Sequence, residues 1–329
     1  MTNLYNIILE IIKFLLIIVP VLISVAYLTL AERKILGYSQ NRKGPNVIGI
    51  YGLLQPLADG IKLFSKEIII PNHVNIFLYL FSPILALSLS LLIWIIIPLG
   101  KNNIILDLNL GIMFILAISS INIYSIILSG WSSNSKYAFL GSLRAAAQMI
   151  SYEVCISLII FSCILCCGSL NISSIINSQN QSISYIYLLW PMALMFFICC
   201  LAETNRAPFD LTEGESELVS GYNVEYSSMS FALFFLAEYS HIIFNSMIFI
   251  ILFLSKSSNF SIINNFIIFI KLLLFIFIFI WIRTSFPRLR YDQLMNLLWK
   301  TYLPLSLAFI LFINSILWSF SSLSSKWCI

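Results

Sequence analysis

Residues 201–226 read LAETNRAPFDLTEGESELVSGYNVEY. Within them stand Glu203, Asp210, Glu213, Glu215, Glu217 and Glu225, against one base, Arg206. The whole chain has 14 acids, so six of them crowd into this one segment. Long apolar runs flank it, near 185–203 and 228–254, each of a length that crosses a bilayer. Carboxylates beside hydrocarbon are costly unless their charge or their protons are used. An acidic loop between two membrane helices therefore points to a proton-linked device built into a membrane protein.

Composition agrees. The 329 residues are 60% hydrophobic and 10% charged, with a mean hydropathy of +0.96. A soluble domain is nearer about a quarter charged. A chain in the bilayer must be a helix bundle or a closed barrel. The apolar runs are continuous rather than alternating, so the fold expected is an all-α polytopic membrane bundle. About eight spans are predicted, near 4–31, 74–98, 104–128, 146–167, 185–203, 228–254, 262–282 and 302–321. No repeat or low-complexity linker divides the chain, so 1–329 reads as one membrane domain. The first apolar run, from Leu4 to Leu30, is too long for a signal-peptide core and is expected to be retained as a helix. The seven cysteines give no disulfide framework. Cys163, Cys166 and Cys167 lie in an apolar helix without a nearby histidine, which fits helix packing better than a metal site.

The basic residues set the orientation. Thirteen of them, from Arg33 to Lys300, fall in the connections 1–2, 3–4, 5–6 and 7–8, and only Lys101, Lys256 and Lys326 fall on the other side. The first group faces the cytoplasm or, in an organelle, the matrix, and both termini face out. The outer loops are short or bland, so the chemistry or the partner belongs to the inner face.

Several stretches on that face carry pattern. After Glu32, Arg33 and Lys34 comes the turn Gly44-Pro45-Asn46, and then 53–67 alternates apolar residues with Asp59, Lys62, Lys66 and Glu67. This is an amphipathic interfacial helix, either a membrane-surface anchor or one wall of a site entered from the bilayer. GSLRAAAQMISYEV, at 141–154, combines small residues for close helix contact with Gln148, Tyr152 and an intramembrane Glu153. In FFLAEYSHIIFNS, residues Glu238, His241 and Asn245 form one polar stripe at i, i+3 and i+7. Lys271 stands alone in a predicted span with no partner evident from the sequence. There is no GxGxxG, phosphate loop, cluster-type CxxC pair or trustworthy haem ligand set, so NADH, ATP and redox centres are not expected on this chain.

Five motifs taken in order resemble the subunit 1 family of mitochondrial NADH dehydrogenase, the membrane subunit at the heel of respiratory complex I. They are AERKILGYSQNRKGPNVIGIYGLLQPLADGIKLFSKE, GSLRAAAQMISYEV, AETNRAPFDLTEGESELVSGYNVEY, FFLAEY and WIRTSFPRLRYDQLMNLLWK. The likeness runs from about residue 20 to 305 and leaves out the outer loops and the C-terminus. It implies eight helices forming the base of a ubiquinone chamber, roofed by peripheral-arm subunits, with FMN and iron–sulfur clusters on those partners. It implies quinone passing from the bilayer between helix 1, helix 6 and the amphipathic helix. Arg33, Arg42, Asp59, Phe235 and Arg283 match positions at or near that passage. Glu153, Glu203, Asp210, Glu213, Glu215, Glu217, Glu225 and Glu238 match a train of carboxylates leading sideways toward antiporter-like subunits. The setting implied is the mitochondrial inner membrane, with an organelle-encoded chain, lipid neighbours and no nucleic acid. One departure is Ser240-His241, where the family usually has a small residue and asparagine.

Clustered carboxylates titrate collectively and respond to charge appearing nearby. Quinone reduction creates such charge, so a change in the 203–226 loop passed on by Glu153 and Glu238 is the expected coupling. A free-standing proton-coupled transporter is one alternative. The membrane subunit of an energy-converting hydrogenase is a second, and QNRKGPN and RYDQLM argue against it. A passive anchor for the peripheral arm is a third, and it leaves Glu153 and Glu238 as unexplained cost.

Overall fold

The computed structural model describes residues 2–98, 105–210, 220–256 and 261–319, with side chains described from residue 12 and, in the last segment, from 265. Glu213, Glu215 and Glu217 lie outside the described residues. Every regular element among the described residues is helical. In order they are α1 (Thr2–Ser39), α2 (Gln55–Ser65), α3 (Ile76–Leu92), α4 (Gly111–Ser132), α5 (Lys136–Cys167), α6 (Ile172–Gln181), α7 (Tyr185–Leu188), α8 (Trp190–Glu203), α9 (Ser228–Phe253), α10 (Ser261–Ser285), α11 (Tyr291–Leu297) and α12 (Leu303–Ser319). Seven helical segments are long and apolar enough to cross a membrane, one of them running through α11 and α12 as Tyr291–Ser319.

The expected span at 185–203 is broken. Leu189 leaves helical geometry (φ −116°, ψ 32°), and Pro191, in the first turn of α8, supplies no N–H to bond back across that break. The resulting α8 has 14 residues, about 21 Å by helical rise, short of the hydrocarbon thickness. Two boundaries also differ from expectation. α1 continues past Ala31 to Ser39, which carries Glu32, Arg33 and Lys34 on the helix itself. α5 starts at Lys136 rather than 146, because Asn134 (φ 50°) makes the whole turn and KYAFLGSLRA holds no proline to stop a helix. The amphipathic segment folds as α2, with Leu57, Ile61 and Phe64 61%, 70% and 73% exposed, as an interfacial helix requires.

α9 is the central post. In its most apolar stretch 78% of residues are buried, against 17% in α10 and 11% in the last span. Serines recur along the bundle, and many satisfy their hydroxyls by donating one turn back. Ser125 bonds the Asn122 carbonyl at 2.6 Å, Ser162 the Ile159 carbonyl at 2.6 Å and Ser246 the Ile243 carbonyl at 2.7 Å. Such residues let helices approach closely inside a membrane.

At the outer end, Gln179 of α6 closes the end of α9. Its Nε2 donates to the Ile251 and Leu252 carbonyls at 3.0 and 2.9 Å, and its Oε1 accepts from the Ser255 amide at 3.1 Å. Lys271 has its partner there as well, its Nζ donating to the Leu254 carbonyl at 2.6 Å. Gln179→Leu strands those buried groups, and we expect a loss of about 1–2 kcal/mol, read as a lower thermal inactivation temperature of the purified assembly. An unchanged temperature would show that the cap is dispensable.

Candidate functional site

The site begins where α8 runs out. Thr204 and Asn205 (φ 49°) turn the chain, and the Phe209 amide closes back on the Arg206 carbonyl at 2.8 Å. Gln148 of α5 holds both sides of this turn, its Nε2 donating to the Ala202 and Phe209 carbonyls at 2.9 and 3.0 Å. The far end is tied to the segment after α10 by Arg288 on Asp210 at 3.1 Å and by the Leu289 amide on the Pro208 carbonyl at 3.0 Å. Arg206 is thereby held in the interior, with its side chain only 10% exposed.

Around Arg206 lies a buried cluster of charges from four parts of the chain. Its guanidinium is 3.6 Å from Glu32 of α1 and 3.9 Å from Glu238 of α9, and it sits 4.4 Å above the Tyr239 ring. Arg283 of α10 also pairs with Glu32. The Tyr239 hydroxyl donates to Glu32 at 2.5 Å, and the Tyr222 hydroxyl donates to Glu238 at 2.5 Å. Two acids and two bases balance one another, which is how a low-dielectric site keeps charge.

Deeper in the bundle the partners become neutral. Glu203 accepts from the Asn245 amide at 3.0 Å, and Glu153 accepts from the Ser119 hydroxyl at 3.2 Å. Such carboxyls can gain or lose a proton without unpairing a cation. His241 lies 3.1 Å from the Asn122 amide nitrogen. One small cavity is lined by Glu238, His241, Glu203, Asn122 and Tyr222 and has room for about two water molecules. A second, lined by His241, Glu203, Asn245 and Ser119, shares His241 and Glu203 with the first.

The inner surface brings α1, α2 and α9 together. Arg33 pairs with Asp59 at 2.7 Å, and Gln55 donates to the same carboxylate at 3.0 Å. Ser228, at the start of α9, donates to the Leu63 and Lys66 carbonyls at 3.0 and 2.6 Å. Phe235 packs on Phe231 with centroids 4.4 Å apart, and Arg42 is exposed in the loop before α2.

Of the sequence-derived residues, Glu238 and Glu203 line one cavity, Glu153 bonds Ser119 on the lining of the second, and Arg283 joins Glu32 in the charge cluster. Asp210 serves the loop anchor. Glu225 is held by its carbonyl, which accepts from Tyr79 at 2.7 Å, and its carboxylate makes none of the ion pairs among the described residues. Four residues that the sequence reading did not assign are central: Arg206, Glu32, Tyr239 and Tyr222. A signal for Glu32 existed, since an acid at the end of an apolar run needs a cation, and Arg283 ends another run on the same face.

Fold and site together define a polytopic membrane bundle with a balanced charge cluster at its inner mouth and a line of neutral-partnered carboxyls leading inward. The profile of the NADH dehydrogenase family matches residues 12–314. NADH-ubiquinone oxidoreductase chain 1 of Metridium senile is 59% identical over 324 residues, 95% of this chain and 95% of its own length. The proteins of the same name from Chondrus crispus and Osphranter rufus are 55% and 54% identical, over 94% and 93% of this chain and 97% and 96% of theirs. The chain belongs to the NADH dehydrogenase family.

Proposed function

We propose that this chain forms the membrane floor of the ubiquinone chamber in proton-pumping NADH:ubiquinone oxidoreductase and passes the consequence of quinone reduction to a line of carboxyls. It is a core membrane subunit of that complex, and other complex I subunits are its partners. NADH oxidation, FMN and the iron–sulfur clusters belong to peripheral-arm subunits seated on the inner face, and antiporter-like subunits lie to the side. The setting is the mitochondrial inner membrane.

The observation that carries the reading is the continuity from Arg206 to Glu153. Quinone arrives along the cleft of α1, α2 and α9, past Arg33, Asp59 and Phe235, toward Arg283 and the exposed Arg42. Its reduction consumes electrons and protons together, so charge appears beside the Glu32–Arg206–Glu238 cluster. That cluster answers by shifting a proton or an ion pair, and Glu203 and Glu153 receive the change. The 211–219 acids, Glu213, Glu215 and Glu217, together with Asp210 and Glu225, supply protons from the loop side. A scaffold would have no use for Glu203 and the half-buried Glu153, each held by a neutral partner.

An azido-ubiquinone photolabel tests this in native membranes. Label is expected on residues 25–67 or 228–240, and a complex I inhibitor should compete it away. Absence of label from this chain, in membranes with intact NADH–quinone activity, removes the chamber role.

A further inference from the structure

We propose that His241 is the proton-carrying bridge between Glu238 and Glu203, joining the charge cluster at the inner mouth to the neutral-partnered carboxyls deeper in the bundle; this rests on the proton-coupling reading above. His241 lines both cavities described above, the one that contains Glu238 and Tyr222 and the one that contains Ser119 and Asn245. Glu203 is the other ionisable group shared by the two. Helix geometry places His241 one turn beyond Glu238 and one turn before Asn245 on α9, and Asn245 is the residue that holds Glu203. The imidazole therefore stands between the two carboxyls with water-sized space beside it.

Each packed element supplies a known set of neighbours. α4 presents Asn122 and Ser119, α5 presents Glu153 and Met149, α8 presents Glu203, the turn before α9 presents Tyr222, and α9 itself presents Glu238 and Asn245. Arg206 sits on the Glu238 side against Glu32 and Tyr239. The Asn122 amide nitrogen, 3.1 Å from Nε2, orients the ring. Asn122 is steadied in turn by Ser125, whose Oγ is 3.3 Å from its Oδ1.

The transfer balances in protons. Protonated Glu238 gives its proton through a cavity water to one imidazole nitrogen. The imidazolium releases the proton on its other nitrogen to the Glu203 carboxylate. Glu238 ends with one proton fewer, Glu203 with one more, and the histidine ends as its other tautomer; proton exchange at Nε2 requires the ring to turn from the Asn122 amide, and that rotation brings the unprotonated nitrogen back toward Glu238 before the next transfer. No electron moves in the step.

His241→Gln keeps a polar side chain of similar reach and cannot carry a proton in this way. In the assembled complex we expect coupled quinone reduction to fall on the order of tenfold, with the acid-side limb of its pH profile lost. Oxidation of NADH by an artificial acceptor should stay unchanged. A slower variant whose pH profile keeps its shape marks a hydrogen-bonding role and overturns the proposal, as does a variant with full activity and full proton pumping. If His241→Gln does not assemble, His241→Asn is read by the same criteria. Glu203→Gln and Glu238→Gln are measured alongside. If they abolish pumping while the histidine variant retains it, the bridge fails and the carboxyl line stands. If all three pump normally, the coupling reading itself fails.

Discussion

Arg206→Leu is expected to remove the quinone reductase activity of the complex and most of its stable assembly. Leucine approximates the packing volume of the aliphatic stem and deletes only the guanidinium. The change leaves Glu238 without its cation and Glu32 with Arg283 alone, both inside the bundle. Breaking a buried pair from one side costs roughly 3–5 kcal/mol, because the remaining charge loses its counter-ion in a low-dielectric site. The stack on Tyr239 at 4.4 Å is lost as well, and with it a contact of about 1 kcal/mol. Native electrophoresis and ubiquinone-dependent NADH oxidation read the two consequences. Arg206→Lys separates charge from shape, since an ammonium restores the positive charge but not the planar fork or the flat stack. That variant should assemble, with quinone reduction lowered and NADH oxidation by artificial acceptors normal. A leucine variant that assembles and turns over normally would mean that the cluster neither holds the structure nor serves the reaction.

The expectation for Arg206 also marks where the sequence was readable. Membrane helices announce themselves because the bilayer demands long apolar runs, and seven of the eight expected spans are present at full length. The failure at 185–203 came from a composition that stayed apolar while Pro191 interrupted the backbone bonding. The carboxylates were visible as residues out of place. Their partners were not, because Glu32 and Arg283 are 251 positions apart and Tyr239 and Glu32 are 207 apart. Nothing local records which distant helix end meets which. The same limit hid the relation between His241 and Asn122, 119 residues apart, which only their side-chain contact across the bundle reveals. Lys271 is the opposite case. It looked anomalous in an apolar run, yet it serves the carbonyl end of the neighbouring helix, a role that leaves no pattern in its own sequence.

Gly141→Ala is expected to uncouple the loop from the carboxyl line. A Cβ at position 141 would lie 2.8 Å from the Gly221 Cα and 3.1 Å from the Tyr222 amide nitrogen. Both neighbours are backbone, so no side chain can swing aside, and the turn at 221–223 must move as a unit. Gly221 itself holds a left-handed conformation (φ 59°), which limits how the turn can yield. Tyr222 rides on that turn and donates to Glu238 at 2.5 Å. A displacement of a few tenths of an ångström therefore reaches the head of the proton line directly. Overpacking of this kind costs about 1–3 kcal/mol, and the rigid backbone on both sides argues for the upper end. We expect a lower thermal inactivation temperature and fewer protons translocated per quinone reduced. Gly60→Ala in α2 is the control, because a Cβ there meets nothing within 4 Å and alanine is the better helix former. It should leave the complex unchanged or slightly more stable. If Gly141→Ala behaves like Gly60→Ala in both measurements, the seating of Tyr222 on Glu238 does not depend on this approach, and the loop reaches the carboxyl line by another contact.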